Sequence, residues 1–131
     1  LSPKMNDGAS IMALTYYGST RYMQSYNVMG VAKAALETSI KYLAVDMGDR
    51  GIRVNAISAG PMRTLAGAVI NKSRKIYNYT IENSPIKKPL SLEDIGKSSV
   101  YLMSDLSKGV TGEILYVDNG YNNVGMSVQE L

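Results

Sequence analysis

The chain is predicted to form an α/β fold, part of a doubly wound domain built on a parallel sheet. Three features of the sequence predict it. Short apolar runs alternate with segments of helical periodicity. Each apolar run ends near a glycine or a Gly-Pro pair. The resulting order, β-α-β-α-α-β, is that of parallel strands joined by helical crossovers.

Ser10-Ile11-Met12-Ala13-Leu14-Thr15 is the first strand, ending ahead of Gly18. From Asn27 to Met47, apolar Met29, Ala32, Leu36, Ile40, Leu43 and Met47 recur at spacings of three and four and mark a helix. Gly48 and Gly51 stop it. Ile52-Arg53-Val54-Asn55-Ala56-Ile57 is the second strand, closed by Gly60-Pro61. Thr64 to about Tyr79 reads as helical with weak periodicity, and Asn83-Ser84-Pro85 closes it. Ser91 has the chemistry of an N-cap, with Glu93 and Asp94 in the first turn where the helix dipole favours anions, and that helix runs to about Leu106. Glu113 to Val117 is the third strand, followed by the turn residues Asp118-Asn119-Gly120. Three parallel strands leave unpaired edges, and no glycine-rich phosphate loop opens a helix. The first residue is Leu1, and residues 1–131 read as the carboxyl-terminal half of one larger domain.

Composition narrows the chemistry. With no cysteine and no histidine, disulfides, thiolate metal sites and Ser-His or Cys-His nucleophiles are excluded; a metal site would have to be all oxygen, and none is expected. Acid-base work falls to Tyr, Lys, Asp or Glu. The net charge of +3 does not call for nucleic acid, and no apolar run is long enough for a membrane span. Between Asn71 and Leu90, Lys72, Arg74, Lys75, Lys87 and Lys88 face only Glu82, a local excess suited to an acidic partner or to a solvated face.

The chain has ten tyrosines and no other aromatic residue, and four of them, Tyr16, Tyr17, Tyr22 and Tyr26, precede Lys33. Seven residues of helix turn through roughly 700°, which would set Tyr26 and Lys33 on one face about 10 Å apart along the axis. A cofactor sugar fits between them, and a nearby ammonium would lower the phenol's pKa. A surface lysine and a half-buried tyrosine share that spacing. Tyr16, at the end of the first strand, reaches the same crevice or simply packs under a helix. In parallel sheets ligands bind at the carboxyl ends of the strands, where Thr15-Tyr16-Tyr17 and Ser58-Ala59-Gly60-Pro61 both lie. Thr64 opens a helix, a site for an anion or a plain cap.

"YNVMGVAKAALE", "VNAISAGPMRTLA" and "GEILYVDNGY" together resemble the bacterial NADH-dependent enoyl-acyl-carrier-protein reductases of the short-chain dehydrogenase/reductase superfamily, over roughly Ser10 to Met126. The Tyr-x6-Lys spacing of Tyr26 and Lys33 is the discriminating mark, since ordinary superfamily members use Tyr-x3-Lys and no tyrosine here has a lysine four residues on.

The resemblance implies a Rossmann-like domain whose amino-terminal half lies outside this chain. It makes Tyr26 the catalytic tyrosine, Tyr16 the second active-site tyrosine and Lys33 the lysine that binds the NADH ribose. Met62, Arg63, Thr64, Leu65 and Ala66 match the segment contacting the cofactor. Tyr16, Tyr26, Met29, Ala66 and Ile70 match the acyl pocket, which triclosan-type inhibitors also occupy. Arg74 and Lys75 match positions that meet acyl carrier protein, while Asn71 stands where the family has a third basic residue. A trans-2-enoyl thioester substrate, a homotetramer and a cytoplasmic location are likewise implied, without nucleic-acid or membrane partners. A β-ketoacyl or other ketone reductase, and a non-catalytic half-domain needing a partner, are the alternatives.

Overall fold

A computed structural model of the chain describes residues 4–62 and 73–125. The expected order of elements is present. Strand β1 spans Ser10–Thr15, helix α1 Val28–Asp46, strand β2 Arg53–Ala59, helix α2 Ser73–Asn83, helix α3 Leu92–Met103 and strand β3 Ile114–Val117. The sheet order is β1-β2-β3, parallel throughout, with Thr15 opposite Ser58 and Ser58 opposite Tyr116.

Central β2 is covered on both faces, as a parallel strand requires. Alternation along the strand divides its side chains. Val54 and Ala56 meet Ile40 and Ala44 of α1 and Met47 just past its end, with Ile11, Ala13 and Ile114 around them. Ile57 meets Ile95 and Leu102 of α3, with Met12, Leu115 and Val117 around them. The chain therefore forms three layers, α1, sheet and α3.

The buried line of α1 differs from the expected one. Glu37, Ile40 and Ala44 are buried within the helix, whereas Leu43 is 37% and Met29 47% exposed. The reason is a second apolar stripe. Val28, Val31, Tyr42 and Val45 line the outer face at 71–81% exposure, so apolar residues occupy nearly the whole circumference and periodicity does not single out one face. The helix ends at Asp46 with Met47 as its C-cap, and Gly51, left-handed at φ 65°, closes the 3-10 turn over Gly48–Arg50 that follows.

Helix α3 carries the predicted cap as a reciprocal capping box. Ser91 Oγ accepts from Asp94 N at 3.1 Å, and Asp94 Oδ2 accepts from Ser91 N at 3.0 Å. Ser91 Oγ also donates to Asp94 Oδ2 at 2.6 Å, and that bond first, then the one from Ser91 N, holds the Asp94 carboxyl below its ordinary range. The helix stops at Met103, short of the expected Leu106, because Ser104 turns extended and caps a 3-10 turn over Asp105–Ser107. The start expected for α2 at Thr64 falls outside the described residues, and the helix continues beyond Tyr79 to Asn83.

Polar groups at the amino end of the sheet are fully occupied. The buried Arg53 donates to Leu102 O at 2.9 Å, Ser107 Oγ at 2.7 Å and Ser104 O at 3.0 Å. Buried Asn55 donates to Val110 O at 2.9 Å and accepts from Glu113 N at 3.0 Å. Each polar atom stitches β2 to the α3–β3 connection, satisfying backbone groups that would otherwise be orphaned.

Candidate active site at the carboxyl ends of the strands

The site begins where β1 ends. Thr15 leads into Tyr16, whose backbone is extended, and then into a single 3-10 turn over Tyr17–Ser19. That turn reverses the chain, so the rings of Tyr16 and Tyr17 meet edge to face at 5.7 Å. After β3, Asp118 opens a second turn. Its carboxyl accepts from Gly120 N at 3.0 Å and Asn122 N at 2.8 Å, and Asn119 and Gly120 take positive φ. This turn brings Tyr121 onto Tyr17 at 5.5 Å.

Tyr26 completes the cluster, its ring 5.1 Å from that of Tyr16. It is not on the helix. Ser25 and Asn27 both have positive φ, 65° and 46°, and α1 starts only at Val28. Such conformations cost non-glycine residues about 1–3 kcal/mol each and persist where surroundings impose them. The shared helix face expected for Tyr26 and Lys33 is therefore replaced by a turn and a helix, each placing one residue.

Two glycines make room for that turn. A Cβ on Gly18 would lie 2.7 Å from Tyr26 Cδ1, and one on Gly30 would lie 2.8 Å from Gly18 O. The Tyr26 ring and the start of α1 thus approach the Tyr17–Ser19 turn more closely than any side chain there allows.

Lys33 projects from α1 to the end of β1, where Nζ donates to Leu14 O at 2.9 Å. An ammonium has three donors, so this bond leaves capacity for a diol or another oxygen ligand. Glu37, one turn later and buried, accepts from Thr15 Oγ1 at 2.7 Å and Ser19 Oγ at 2.6 Å. Ser58, opposite Thr15 in register, is fully buried, and its Oγ has no hydrogen-bond partner among the described residues.

The electrostatics differ from expectation. Burial raises the Tyr26 phenol above its ordinary 10.0, the opposite of the lowering expected from Lys33. Tyr16 is raised further, by burial first and then by Tyr17, Tyr121, Tyr26 and Asp118. Tyr121 is pushed up to about 12 by burial and by its field and hydrogen bond with Tyr17. All three stay protonated at neutral pH, so they are hydrogen-bond donors.

Of the four clustered tyrosines, Tyr22 stands apart at 88% exposure. Met29 lies in the first turn of α1, and Met62 packs on the Ile57–Ile95–Leu102 cluster. Arg74 and Lys75 are exposed on α2. Arg63, Thr64, Leu65, Ala66, Ile70, Asn71 and Lys72 lie outside the described residues. Sequence reasoning missed Glu37, Asp118 and Tyr121. An acidic residue inside an apolar helix, four residues after the lysine, was the available sign for Glu37.

Parallel strands with tyrosines and a lysine gathered at their carboxyl ends define the class as a Rossmann-like α/β protein with its polar site at the strand ends. The family described as enoyl-(acyl carrier protein) reductase matches residues 1–122, and the chain belongs to it. It is 61% identical over 122 residues to enoyl-[acyl-carrier-protein] reductase [NADH] 1 of Rhizobium meliloti (strain 1021), covering 93% of this chain and 45% of that protein. The enoyl-acyl-carrier-protein reductase of Anaplasma phagocytophilum, solved with NAD, superposes with TM-score 0.91 at 52% identity, over 98% of this chain and 49% of that one. The Plasmodium berghei reductase, solved with triclosan, does so with TM-score 0.91 at 38% identity, over 95% of this chain and 45% of that one. The chain thus spans a little under half the length of the relatives it matches.

Proposed function

We propose that this chain is the carboxyl-terminal half of a single Rossmann-like domain in an NADH-dependent enoyl-acyl-carrier-protein reductase, reducing the trans-2 double bond of an acyl thioester in fatty acid biosynthesis. The observation that carries the reading is the contact of Tyr16 and Tyr26, with Lys33 bonded to the adjoining end of β1. Strand β1 is the edge of the described sheet, and coverage of under half of each relative supports further strands beyond it.

The donor set suits the cofactor: an ammonium with donors to share fits a ribose diol, and neutral phenols fit a carbonyl oxygen. Lys33 would hold the ribose, and Met62, Arg63, Thr64, Leu65 and Ala66 would line the nicotinamide and pyrophosphate. NADH, when bound, supplies the hydride. The Tyr26 hydroxyl donates to the thioester oxygen, where charge develops as the double bond is reduced at C3. Half-buried and uncharged, the Tyr26 phenol is protonated at neutral pH and so can donate. Tyr16, in ring contact with Tyr26, would be the second active-site phenol, and the proton that completes the reduction at C2 would come from Tyr16, Tyr26 or water. Met29, Ala66 and Ile70 would face the acyl chain and any triclosan-type inhibitor. Exposed Arg74 and Lys75 would attract the acidic carrier protein. The outer apolar stripe of α1, Val28, Val31, Tyr42 and Val45, supports burial between subunits of a homotetramer. No helix among the described residues is long and apolar enough to cross a membrane, which fits the cytoplasmic location proposed for this enzyme.

The test is NADH oxidation by the full-length protein, offered a trans-2-enoyl thioester and, separately, a β-ketoacyl thioester. Oxidation with the enoyl substrate alone is expected. Oxidation with the keto substrate alone would make the protein a ketone reductase, and none with either would leave a non-catalytic role. Lys33→Ala is expected to weaken NADH binding more than it lowers kcat.

A further inference from the structure

We infer that Glu37 is a positioning residue that clamps the Tyr16 loop to α1 and acts on turnover through Tyr16, an inference that rests on the reductase reading above. The clamp is visible in the bonding pattern. Thr15 and Ser19 bracket the loop, and both hydroxyls donate to the same carboxyl oxygen, Glu37 Oε1, at 2.7 and 2.6 Å. Tyr16, Tyr17 and Gly18 lie between those anchors. One helical turn earlier, Lys33 Nζ holds Leu14 O. Residues 14, 15 and 19 are thereby fixed to one face of one helix, while Ser19 N closes the loop on Tyr16 O at 3.0 Å.

A purely structural acid would not need this arrangement. Glu37 is 8% exposed, and burying a carboxyl is costly unless its oxygens are bonded. An aliphatic residue would fill the space at the head of the Ile40–Ala44 line without that cost. Arg53, the buried charged group at the other end of the sheet, mostly bonds main-chain carbonyls and fixes secondary elements. Glu37 bonds side-chain hydroxyls, and the segment they bracket carries the Tyr16 phenol. Short bonds from hydroxyls to a carboxyl oxygen are the stronger kind and restrict the loop in angle as well as distance. Misplacement of a reacting group by about 1 Å can cost of the order of a hundredfold in rate.

The experiment uses the full-length protein with NADH and a trans-2-enoyl thioester. Glu37→Ala is expected to lower kcat by about tenfold to a hundredfold while KM for NADH changes less than about twofold. Glu37→Gln, which keeps an acceptor oxygen, is expected to retain most of kcat, and Ser19→Ala to lose part of it. In a Tyr16→Phe background, Glu37→Ala should add little further loss, because the group it positions is already gone. An equal loss in both backgrounds would overturn the inference, as would loss through KM for NADH alone. If Glu37→Ala does not fold, Ser19→Ala carries the same cycle. If Tyr16→Phe is itself fully active, the role given to Tyr16 fails instead. The clamp is then judged by amide hydrogen exchange. The Ser19 amide, which closes the loop on Tyr16 O, should exchange faster in Glu37→Ala, and unchanged protection would overturn it.

Discussion

The two ends of the sheet treat polar groups in opposite ways. At the amino end, Arg53 and Asn55 are buried, and their bonds go to fixed carbonyls, an amide and a hydroxyl of the α3–β3 connection. At the carboxyl end, phenols gather with raised pKa, and among the described residues a lysine with three donors makes one bond and a buried serine hydroxyl lacks a partner. The first arrangement is closed and stabilises the fold. The second retains donors for something else, as a site must.

The largest effect expected from breaking this contrast is at Tyr26. Tyr26→Phe should lower kcat about 10²- to 10³-fold, or about 3–4 kcal/mol in the barrier, with the melting temperature little changed. Steady-state kinetics on the full-length protein check it. Arg53→Met should do the reverse. It takes one donor each from Leu102 O, Ser104 O and Ser107 Oγ, which keep other bonds, so unfolding by urea should show a loss of about 1–2 kcal/mol while the kinetic constants of the folded enzyme hold.

Gly18→Ala tests how tightly the carboxyl end is built. The added methyl would meet the Tyr26 ring at 2.7 Å and the Tyr16 ring at 3.2 Å, so both must shift. We expect a kcat loss of about tenfold with about 1 kcal/mol of destabilisation, read from kinetics and denaturation side by side.

The smallest effect is in pH. Tyr16, Tyr26 and Tyr121 all have folded pKa values above the ordinary 10.0, so above about pH 10 the unfolded chain loses protons that the folded chain keeps. Stability is full below that point and declines as pH rises through the folded values, toward about 12 for Tyr121. Melting temperatures taken across this range should fall, and less steeply in Tyr16→Phe.

Much of the fold was legible because its signals are local. The β1 run, the Ser91 cap and the glycine stops each depend on neighbours in sequence, and β1, α1, β2, α3 and β3 formed within a few residues of expectation. The buried face of α1 was not legible, because its apolar residues surround the helix and only tertiary contact selects a side. At the site, Tyr16, Tyr26 and Lys33 were visible as a spacing. Tyr121 was not, since it comes from 95 residues beyond Tyr26 and meets the cluster only through the Asp118 turn. The direction of the Tyr26 shift was misread for the same reason: one charged neighbour was apparent in the sequence, and burial was not.

The positive-φ turn at Ser25–Asn27 has a consequence for how such a site can vary. The helix determines where the ammonium of Lys33 arrives, while the turn determines where the phenol of Tyr26 points. The two reagents are therefore separately adjustable. Lengthening or shortening the turn re-aims the phenol without rotating the lysine, so the interval between tyrosine and lysine behaves as a setting of loop geometry rather than a fixed property of the helix.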